Sequence, residues 1–131
     1  MRTDRITPDN ITALEPDTIF VFGSNGEGIH AGGAARIAHD KFGAKMGQGY
    51  GLQGQSFAIN TMSGLNILYA HIKSFTAYAE AMPDKVFLVT EIGCGIAGYQ
   101  PPDIAPLFAQ AVTLPNVHLP KRFWDVLEKH L

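Results

Sequence analysis

The sequence predicts an α/β domain with a mainly parallel central sheet and helices on both of its faces. Short apolar runs at positions 18–22 and 85–90 are rich in β-branched and aromatic residues without polar alternation, which is typical of strands buried on both faces. Segments with apolar residues at helical spacing alternate with the predicted strands. Short loops join the two kinds of segment, as expected when strands and helices follow each other in a parallel sheet.

The predicted elements follow one another without a linker or an internal repeat. They are strand 18–22, helix 31–42, strand 56–60, helix 66–82, strand 85–90, helix 103–112, strand 116–119 and helix 121–130. The chain has 131 residues, 46% of them hydrophobic, which is enough for a sizeable core. We therefore expect a single domain that spans residues 1–131.

Glycine and proline mark the predicted ends of the helices. Gly43 follows the first helix as a stop signal, and Pro83 follows the second. Asp103, after two prolines, is expected to cap the third helix, and Pro120 opens the last one. The second helix is predicted to pack on the core with one face, which consists of Ile67, Ala70, His71, Ser74, Phe75, Tyr78 and Met82.

Charge and cysteine content disfavour several classes of protein. The formal net charge is −2 and the lysines and arginines are scattered, which argues against a nucleic-acid-binding surface. No apolar run is long enough to cross a bilayer, and no segment has the order of a signal peptide. The single cysteine, Cys94, excludes an intrachain disulfide. We expect a cytoplasmic protein that binds neither nucleic acid nor membrane, and the oligomeric state stays open.

Two glycine-rich loops carry most of the functional information. Loop 1 spans residues 23–34 and follows the first strand, whereas loop 2 spans residues 93–98 and follows the strand at 85–90. Ligands of such sheets bind at the carboxyl ends of the strands. Glycine lets backbone N–H groups approach an anion closely, and a helix N-terminus adds positive potential. The two loops predict a cleft for phosphates, although each also fits a tight strand-to-helix turn.

A third glycine-rich loop, residues 47–55, is expected to run back to the same edge of the sheet. Its Gln48, Tyr50 and Gln53 either close over a ligand or belong to an exposed connection. In loop 1, Glu27 and His30 are candidates for acid–base work, because a carboxylate can orient an imidazole. The alternative is two solvated loop residues.

Glu91 ends the strand that precedes loop 2, where a buried unpaired carboxylate would be costly. It either activates water, holds a ribose or caps the amides of the next loop. Cys94 is either a small buried residue or a thiol with a pKa lowered by a helix N-terminus. Tyr99 either stacks on a nucleoside or packs under loop 2. The histidines lack metal-ligand spacing, so we predict no metal site and no cofactor.

The residues around loop 1 form a pattern that extends to loop 2. Asn10-Ile11-Thr12 precedes the strand that ends in Gly23-Ser24-Asn25, and Ala31-Gly32-Gly33-Ala34-Ala35 begins the next helix. With loop 2, and after a one-residue insertion, this pattern resembles that of the macrodomains, the ADP-ribose-binding α/β family. The resemblance implies a three-layer α/β/α fold with a mostly parallel central sheet.

The resemblance also implies roles for individual residues. It implies that Asn25 reaches the distal ribose, that Gly32 and Gly33 line the pyrophosphate side, and that the N–H groups of residues 95–97 bind the diphosphate. Together with the loops, it predicts these ligand-binding residues: Asn10, Gly23, Ser24, Asn25, Gly32, Gly33, Gly93, Cys94, Gly95, Ile96, Ala97, Gly98 and Tyr99. The predicted catalytic residues are Asn25, Glu27, His30 and Glu91.

Two positions depart from the family pattern. Asn10 stands where macrodomains have an aspartate that reads the adenine amino group, although an amide can also pair with adenine. Ala97 stands where a hydrolytic subset has an aspartate, so a mechanism that needs this aspartate is not expected.

Three functions are consistent with these residues. The first is binding of ADP-ribose or a related nucleotide diphosphate, with removal of ADP-ribose by attack of water on the anomeric carbon of the distal ribose. The second is a non-catalytic reader of ADP-ribose or of a nucleotide signal. The third is a different α/β nucleotide-binding protein that shares only the phosphate-binding loops. In each case the partner is a small nucleotide.

Overall fold

The computed structural model describes residues 4–129, which form an α/β fold around a five-stranded sheet. The strands are β1 (Thr18–Ser24), β2 (Gly51–Gln53), β3 (Ser56–Asn60), β4 (Val86–Val89) and β5 (Val117–His118), in the spatial order β2-β3-β1-β4-β5. Neighbouring strands are parallel except for the antiparallel pair of β2 and β3. The predicted α/β class with a mostly parallel sheet is therefore confirmed.

Four α-helices accompany the sheet in the described part of the chain. They are α1 (Gly33–Lys41), α2 (Leu65–Ala81), α3 (Pro101–Ile104) and α4 (Lys121–Glu128). The predicted end of the last helix, His130, lies outside the described residues. No helix between residues 4 and 129 combines the length and the apolar character needed to cross a membrane.

The single helix predicted over 103–112 is wrong. The structure has the four-residue α3, followed by a 3₁₀-helix over Ala105–Thr113. Pro106 interrupts the pattern, because its ring has no N–H to donate to the preceding turn. Asp103 is also not the cap; its carboxylate lies within α3 and accepts from the backbone N–H of Gln100 at 2.9 Å.

Apolar side chains form two clusters, one on each face of the sheet. Ile19 and Val21 of β1 belong to the larger cluster, which includes buried residues of α2, α4 and the 3₁₀-helix. Phe20 and Phe22 point to the opposite face, as alternation along a strand requires, and pack with residues of α1. Because both faces of β1 are covered, its apolar run shows no polar alternation.

The stripe predicted for the second helix is only partly right. The residues of α2 that are buried are Leu68, Ile72, Phe75, Thr76 and Ala79. Ile67, by contrast, is 41% exposed. The buried face is displaced by about one position around the helix, because Ile67, Leu68 and Ile72 are all apolar and the local pattern fits two neighbouring faces.

Residues at the two ends of the described chain are joined beside β5. Ile6 forms a parallel bridge with Leu119. The guanidinium of Arg5 donates to the carbonyl oxygens of Val117 and Val112 at 2.8 and 2.9 Å, and Trp124 Nε1 donates to the Arg5 carbonyl at 2.8 Å. The segment before β1 is therefore held against the last strand and the last helix.

Candidate functional site

Loop 1 and loop 2 lie side by side, because they follow β1 and β4, which are neighbours in the sheet. Between them is a cavity of about 830 Å³. Its lining includes ten of the residues predicted to bind a ligand: Asn10, Gly23, Ser24, Asn25, Gly32, Gly33, Gly93, Gly95, Ile96 and Ala97. Parallel strand ends thus bring residues from distant parts of the sequence to one site.

Three consecutive N–H groups of loop 2 have no protein acceptor. In the part of the chain that the structure describes, the N–H groups of Gly95, Ile96 and Ala97 make no hydrogen bond to protein. The N–H groups of Gly98 and Tyr99 close the loop by donating to the carbonyl oxygens of Gly95 and Gly93 at 2.9 and 2.8 Å. The loop is therefore closed by its own backbone, and three donors remain for a ligand.

The N-terminus of α1 supplies a second set of donors to the same cavity. Gly32 is its N-cap residue, no side chain caps the helix, and its first turn contains no acidic residue. Among residues 4–129, the N–H groups of Gly33, Ala34 and Ala35 find no protein acceptor. Because the helix dipole is positive here, this wall of the cavity favours a negatively charged group.

The charged residues that line the cavity are Asp9, Lys41 and Glu91. Arg122 forms a two-pronged ion pair with Glu91, in which Nε and Nη2 donate to the two carboxylate oxygens at 2.8 and 2.7 Å. These hydrogen bonds lower the pKa of Glu91 below its ordinary value. Glu91 is thus a paired carboxylate rather than a cap on loop 2, and its lowered pKa makes it a weaker base.

Asn25 uses both ends of its side chain to shape loop 1. Its Nδ2 donates to the carbonyl oxygen of Ile29 at 2.9 Å, and its Oδ1 accepts from the Ile29 N–H at 3.0 Å. One hydrogen on Nδ2 and one lone pair on Oδ1 remain. Asn25 therefore stabilises the turn and still lines the cavity.

His30 and Glu27 are not brought together. His30 is fully buried, so the alternative of a solvated histidine is wrong. Its Nδ1 lies 2.8 Å from Ser24 Oγ, and its Nε2 lies 2.7 Å from the Lys45 carbonyl oxygen and 3.1 Å from Gln53 Oε1. Glu27 is exposed, and within the described residues no hydrogen bond or ion pair joins it to His30.

Three predicted binding residues of loop 2 do not line the cavity: Cys94, Gly98 and Tyr99. Burial raises the pKa of the Cys94 thiol, and the nearby charge of Glu91 raises it further, which favours, of its two predicted roles, the small buried residue. Tyr99 packs against the larger apolar cluster beneath the loop. Of its two predicted roles, the structure therefore favours packing.

The third glycine-rich loop lies behind loop 1 rather than over the cavity. Gln48, Tyr50 and Gln53 are absent from the cavity lining. Its backbone packs against loop 1, where the Gly47 N–H donates to the Gly28 carbonyl at 2.9 Å. The Tyr50 ring packs against the His71 ring at a tilt of 46°, with ring centroids 4.3 Å apart, beside a second cavity of about 360 Å³.

The sequence analysis missed several residues of the larger cavity. They are Thr7, Ile11, Thr12, Phe20, Ala35, Ile37, Thr61, Met62 and Thr90. Thr61 directly follows β3 and Thr90 directly follows β4, so their positions after parallel strands were an available signal. Ile11, Phe20 and Ala35 belong to the apolar cluster between β1 and α1, and only the packing of that helix identifies them.

Comparisons with known protein families, with curated proteins and with solved structures found no match. Among residues 4–129, no group of three or more histidine, cysteine, aspartate or glutamate side chains is arranged to hold a metal ion.

Proposed function

We propose that the cavity binds ADP-ribose or a related nucleotide diphosphate. The observation that carries this proposal is the presence of two sets of unbonded backbone N–H groups in the lining of one cavity, residues 95–97 in loop 2 and residues 33–35 at the start of α1. Unbonded amides beside a helix N-terminus favour phosphate oxygens. A volume of about 830 Å³ is of the size that small-molecule ligands occupy.

The charge distribution supports recognition through the backbone. Of the cations on the chain, only Lys41 belongs to the described cavity lining, and Arg122 is engaged by Glu91. Strong binding of a bare, highly charged anion would require more cations. A diphosphate flanked by two uncharged groups fits better, because those groups add contacts that do not depend on charge.

The rest of the cavity suits the two ends of such a ligand. Ile11, Phe20 and Ile37 give the wall beside α1 an apolar character suited to a flat base, with Asn10 as a polar group at its edge. Asn25, which also lines the cavity, keeps one donor and one acceptor for ribose hydroxyls. This arrangement matches the roles that the resemblance to macrodomains implies.

Binding is the core of the proposal, and removal of ADP-ribose is its second part. Ala97 excludes a loop aspartate as base, and both oxygens of Glu91 accept from Arg122. A non-catalytic reader needs only the binding groups. The remaining alternative is a different α/β nucleotide-binding protein that makes no contact with the distal ribose. In that case ADP and ADP-ribose should bind with equal affinity.

Calorimetric titration with ADP-ribose, ADP and AMP tests the proposal. We expect ADP-ribose to bind most tightly. Gly95→Val should weaken its binding at least about tenfold by blocking the amides of loop 2, while the fold persists, because a Cβ at Gly95 meets no atom within 4 Å. Ala77→Val, at an exposed position of α2, is the matched control, and this variant should bind ADP-ribose with wild-type affinity. Failure of the wild-type protein to bind any of the three nucleotides would contradict the proposal.

A further inference from the structure

A buried chain of hydrogen bonds leads from the cavity wall into the protein. Ser24 lines the cavity at the end of β1, and its hydroxyl oxygen lies 2.8 Å from His30 Nδ1. The other ring nitrogen of His30 faces the Lys45 carbonyl oxygen and Gln53 Oε1. The imidazole therefore lies directly behind a hydroxyl of the candidate site.

The surrounding bonds fix the tautomer of His30. Gln53 Nε2 donates to the carbonyl oxygens of Gln48 and Gly51, and its Oε1 accepts from the Lys45 N–H at 2.7 Å, so the amide orientation is determined. Nε2 of His30 then faces two acceptors and must carry a hydrogen. In the neutral ring, Nδ1 has a free lone pair, and the Ser24 hydroxyl donates to it.

Burial leaves the imidazole one polar route to the cavity. His30 has no exposed surface, and the edge of its ring packs against Phe22, with centroids 5.1 Å apart. Ser24 retains 6% exposure. A proton that moves between the cavity and Nδ1 must therefore pass through Ser24 Oγ.

Two other hydroxyls of the cavity lack such a base. Thr90 Oγ1 donates to the Val21 carbonyl at 2.8 Å, and Thr61 Oγ1 donates to the Ser24 carbonyl at 3.1 Å. A backbone carbonyl oxygen is far too weak a base to take up the proton. Among these three hydroxyls, only that of Ser24 is bonded to an imidazole nitrogen.

We propose that Ser24 and His30 form a proton relay for hydrolysis at the anomeric carbon of a bound ADP-ribosyl group. The proposal rests on the proposed function. Water forms the new C–O bond as the bond to the leaving group breaks; its proton passes to Ser24 Oγ while the Ser24 proton passes to His30 Nδ1. The leaving group, on the opposite face of the sugar, takes its proton from solvent, and His30 returns its proton through Ser24 Oγ to water, so the products are ADP-ribose and the released acceptor. Ser24 is the catalytic residue, and His30 is a positioning residue that acts through it.

The test compares Ser24→Ala with Thr76→Val. Thr76 is a buried hydroxyl of α2 that donates to the Ile72 carbonyl at 2.9 Å, and it lies outside the cavity lining. Peptides ADP-ribosylated on serine, arginine or glutamate serve as substrates, and free ADP-ribose is measured. We expect Ser24→Ala to lower kcat about 100-fold or more, a far larger change than any in ADP-ribose affinity, whereas Thr76→Val keeps both.

Nitrogen NMR of the imidazole provides a readout that is independent of turnover. The wild-type spectrum should show His30 with a hydrogen on Nε2 and a hydrogen-bonded lone pair on Nδ1, and Ser24→Ala should shift the Nδ1 signal alone. Binding of ADP-ribose without release from any of the three linkages would overturn the relay and leave the binding function intact. Equal kcat for the wild type and Ser24→Ala would also overturn it. Absence of ADP-ribose binding would overturn the proposed function itself.

Discussion

The two glycine-rich loops of the cavity look alike in sequence and differ in how they are held. Loop 1 is fixed by side chains: Asn25 bonds the backbone of Ile29 at both ends, and buried His30 bonds groups of the loop behind it. Loop 2 is closed by two backbone hydrogen bonds, and its Ile96 side chain is 94% exposed. Glycine-rich sequence thus forms both a loop that side chains hold in place and a loop that is exposed.

This difference assigns separate roles to the two loops: loop 1 is held in place by the protein, and loop 2 offers hydrogen-bond donors to a ligand. Between residues 24 and 30 of loop 1, hydrogen bonds of the Ser24, Asn25 and His30 side chains hold the loop in place before any ligand binds. The N–H groups of residues 95–97 remain unbonded among the described residues, so loop 2 gains hydrogen bonds only when a ligand supplies acceptors. We therefore expect substitutions behind loop 1 to affect stability and substitutions in loop 2 to affect binding.

Breaking the contact between loop 1 and the third loop should have the largest effect. A Cβ on Gly49 would clash with the carbonyl oxygen of Asn25, which is backbone and has little room to move. We expect Gly49→Ala to lower the free energy of unfolding by about 3 kcal/mol in urea titrations. Gly95→Ala is the control in loop 2 and should change it little, since no atom lies within 4 Å of its added Cβ. Similar losses of unfolding free energy in Gly49→Ala and Gly95→Ala would contradict the proposed difference between the two loops.

Removing the buried amide that supports His30 should have the next largest effect. Gln53 is 2% exposed, and its side chain bonds the backbone of Lys45, Gln48 and Gly51. Gln53→Leu has a similar size but leaves these groups unpaired, so we expect a loss of about 2 kcal/mol in chemical denaturation. The exposed Gln110→Leu should be nearly neutral. A neutral Gln53→Leu would mean that loop 1 does not depend on this network.

The exposed side chain of loop 2 should matter for the ligand and not for the fold. We expect Ile96→Ala to change the free energy of unfolding by less than about 0.5 kcal/mol. The same variant should weaken ADP-ribose binding roughly fivefold, because it removes apolar surface at the cavity mouth. Titration calorimetry and thermal unfolding of one preparation measure both effects. A loss of stability without a loss of affinity would reverse the assigned roles of the two loops.

The ion pair at the base of loop 2 should have the smallest effect, with a defined dependence on pH. Arg122 lowers the pKa of Glu91, so the pair stabilises the fold above the ordinary glutamate pKa of about 4.3 and ceases to do so as the pH falls through the lowered pKa. Both side chains are substantially exposed, which keeps the effect small. The melting temperatures of the wild type and Glu91→Gln should differ slightly at neutral pH and converge in acid. A difference in melting temperature between the two proteins that grows as the pH falls would contradict this pH dependence.

The position of the candidate site could largely be predicted from the sequence, because the order of the parallel strands determines which loops lie side by side. Two unbroken apolar runs identified β1 and β4, and the carboxyl ends of parallel neighbours must share an edge. Residues 23–25 directly follow the predicted strand 18–22, and residues 93–97 come two residues after the predicted strand 85–90, so their proximity needed no knowledge of side-chain packing. The four-residue α3 and the 3₁₀-helix were missed, because Pro106 falls in the first turn of the helix predicted from residue 103, where proline is tolerated.

The parts of the site that depend on long-range contacts were not predictable. The partners of His30 include Lys45 and Gln53, which lie 15 and 23 positions away in a segment predicted as a loop. β2 is only three residues long and contains glycine, so it lacks a strand signal of its own and is set by its pairing with β3. Cys94 was ambiguous because the burial that raises its pKa comes from elements beneath loop 2.

The bonds of Arg5 have a consequence for the order in which the chain assembles during translation. Its guanidinium acceptors at Val112 and Val117 lie 107 and 112 positions later in the sequence. At translation rates of about 5–20 residues per second, on the order of ten seconds separate the synthesis of the two partners. Until then Arg5 lacks these acceptors, and β4 lacks β5 on its outer edge. Until β5 is made, the edge of β4 is therefore uncovered, and an uncovered strand edge is a site at which another chain can pair.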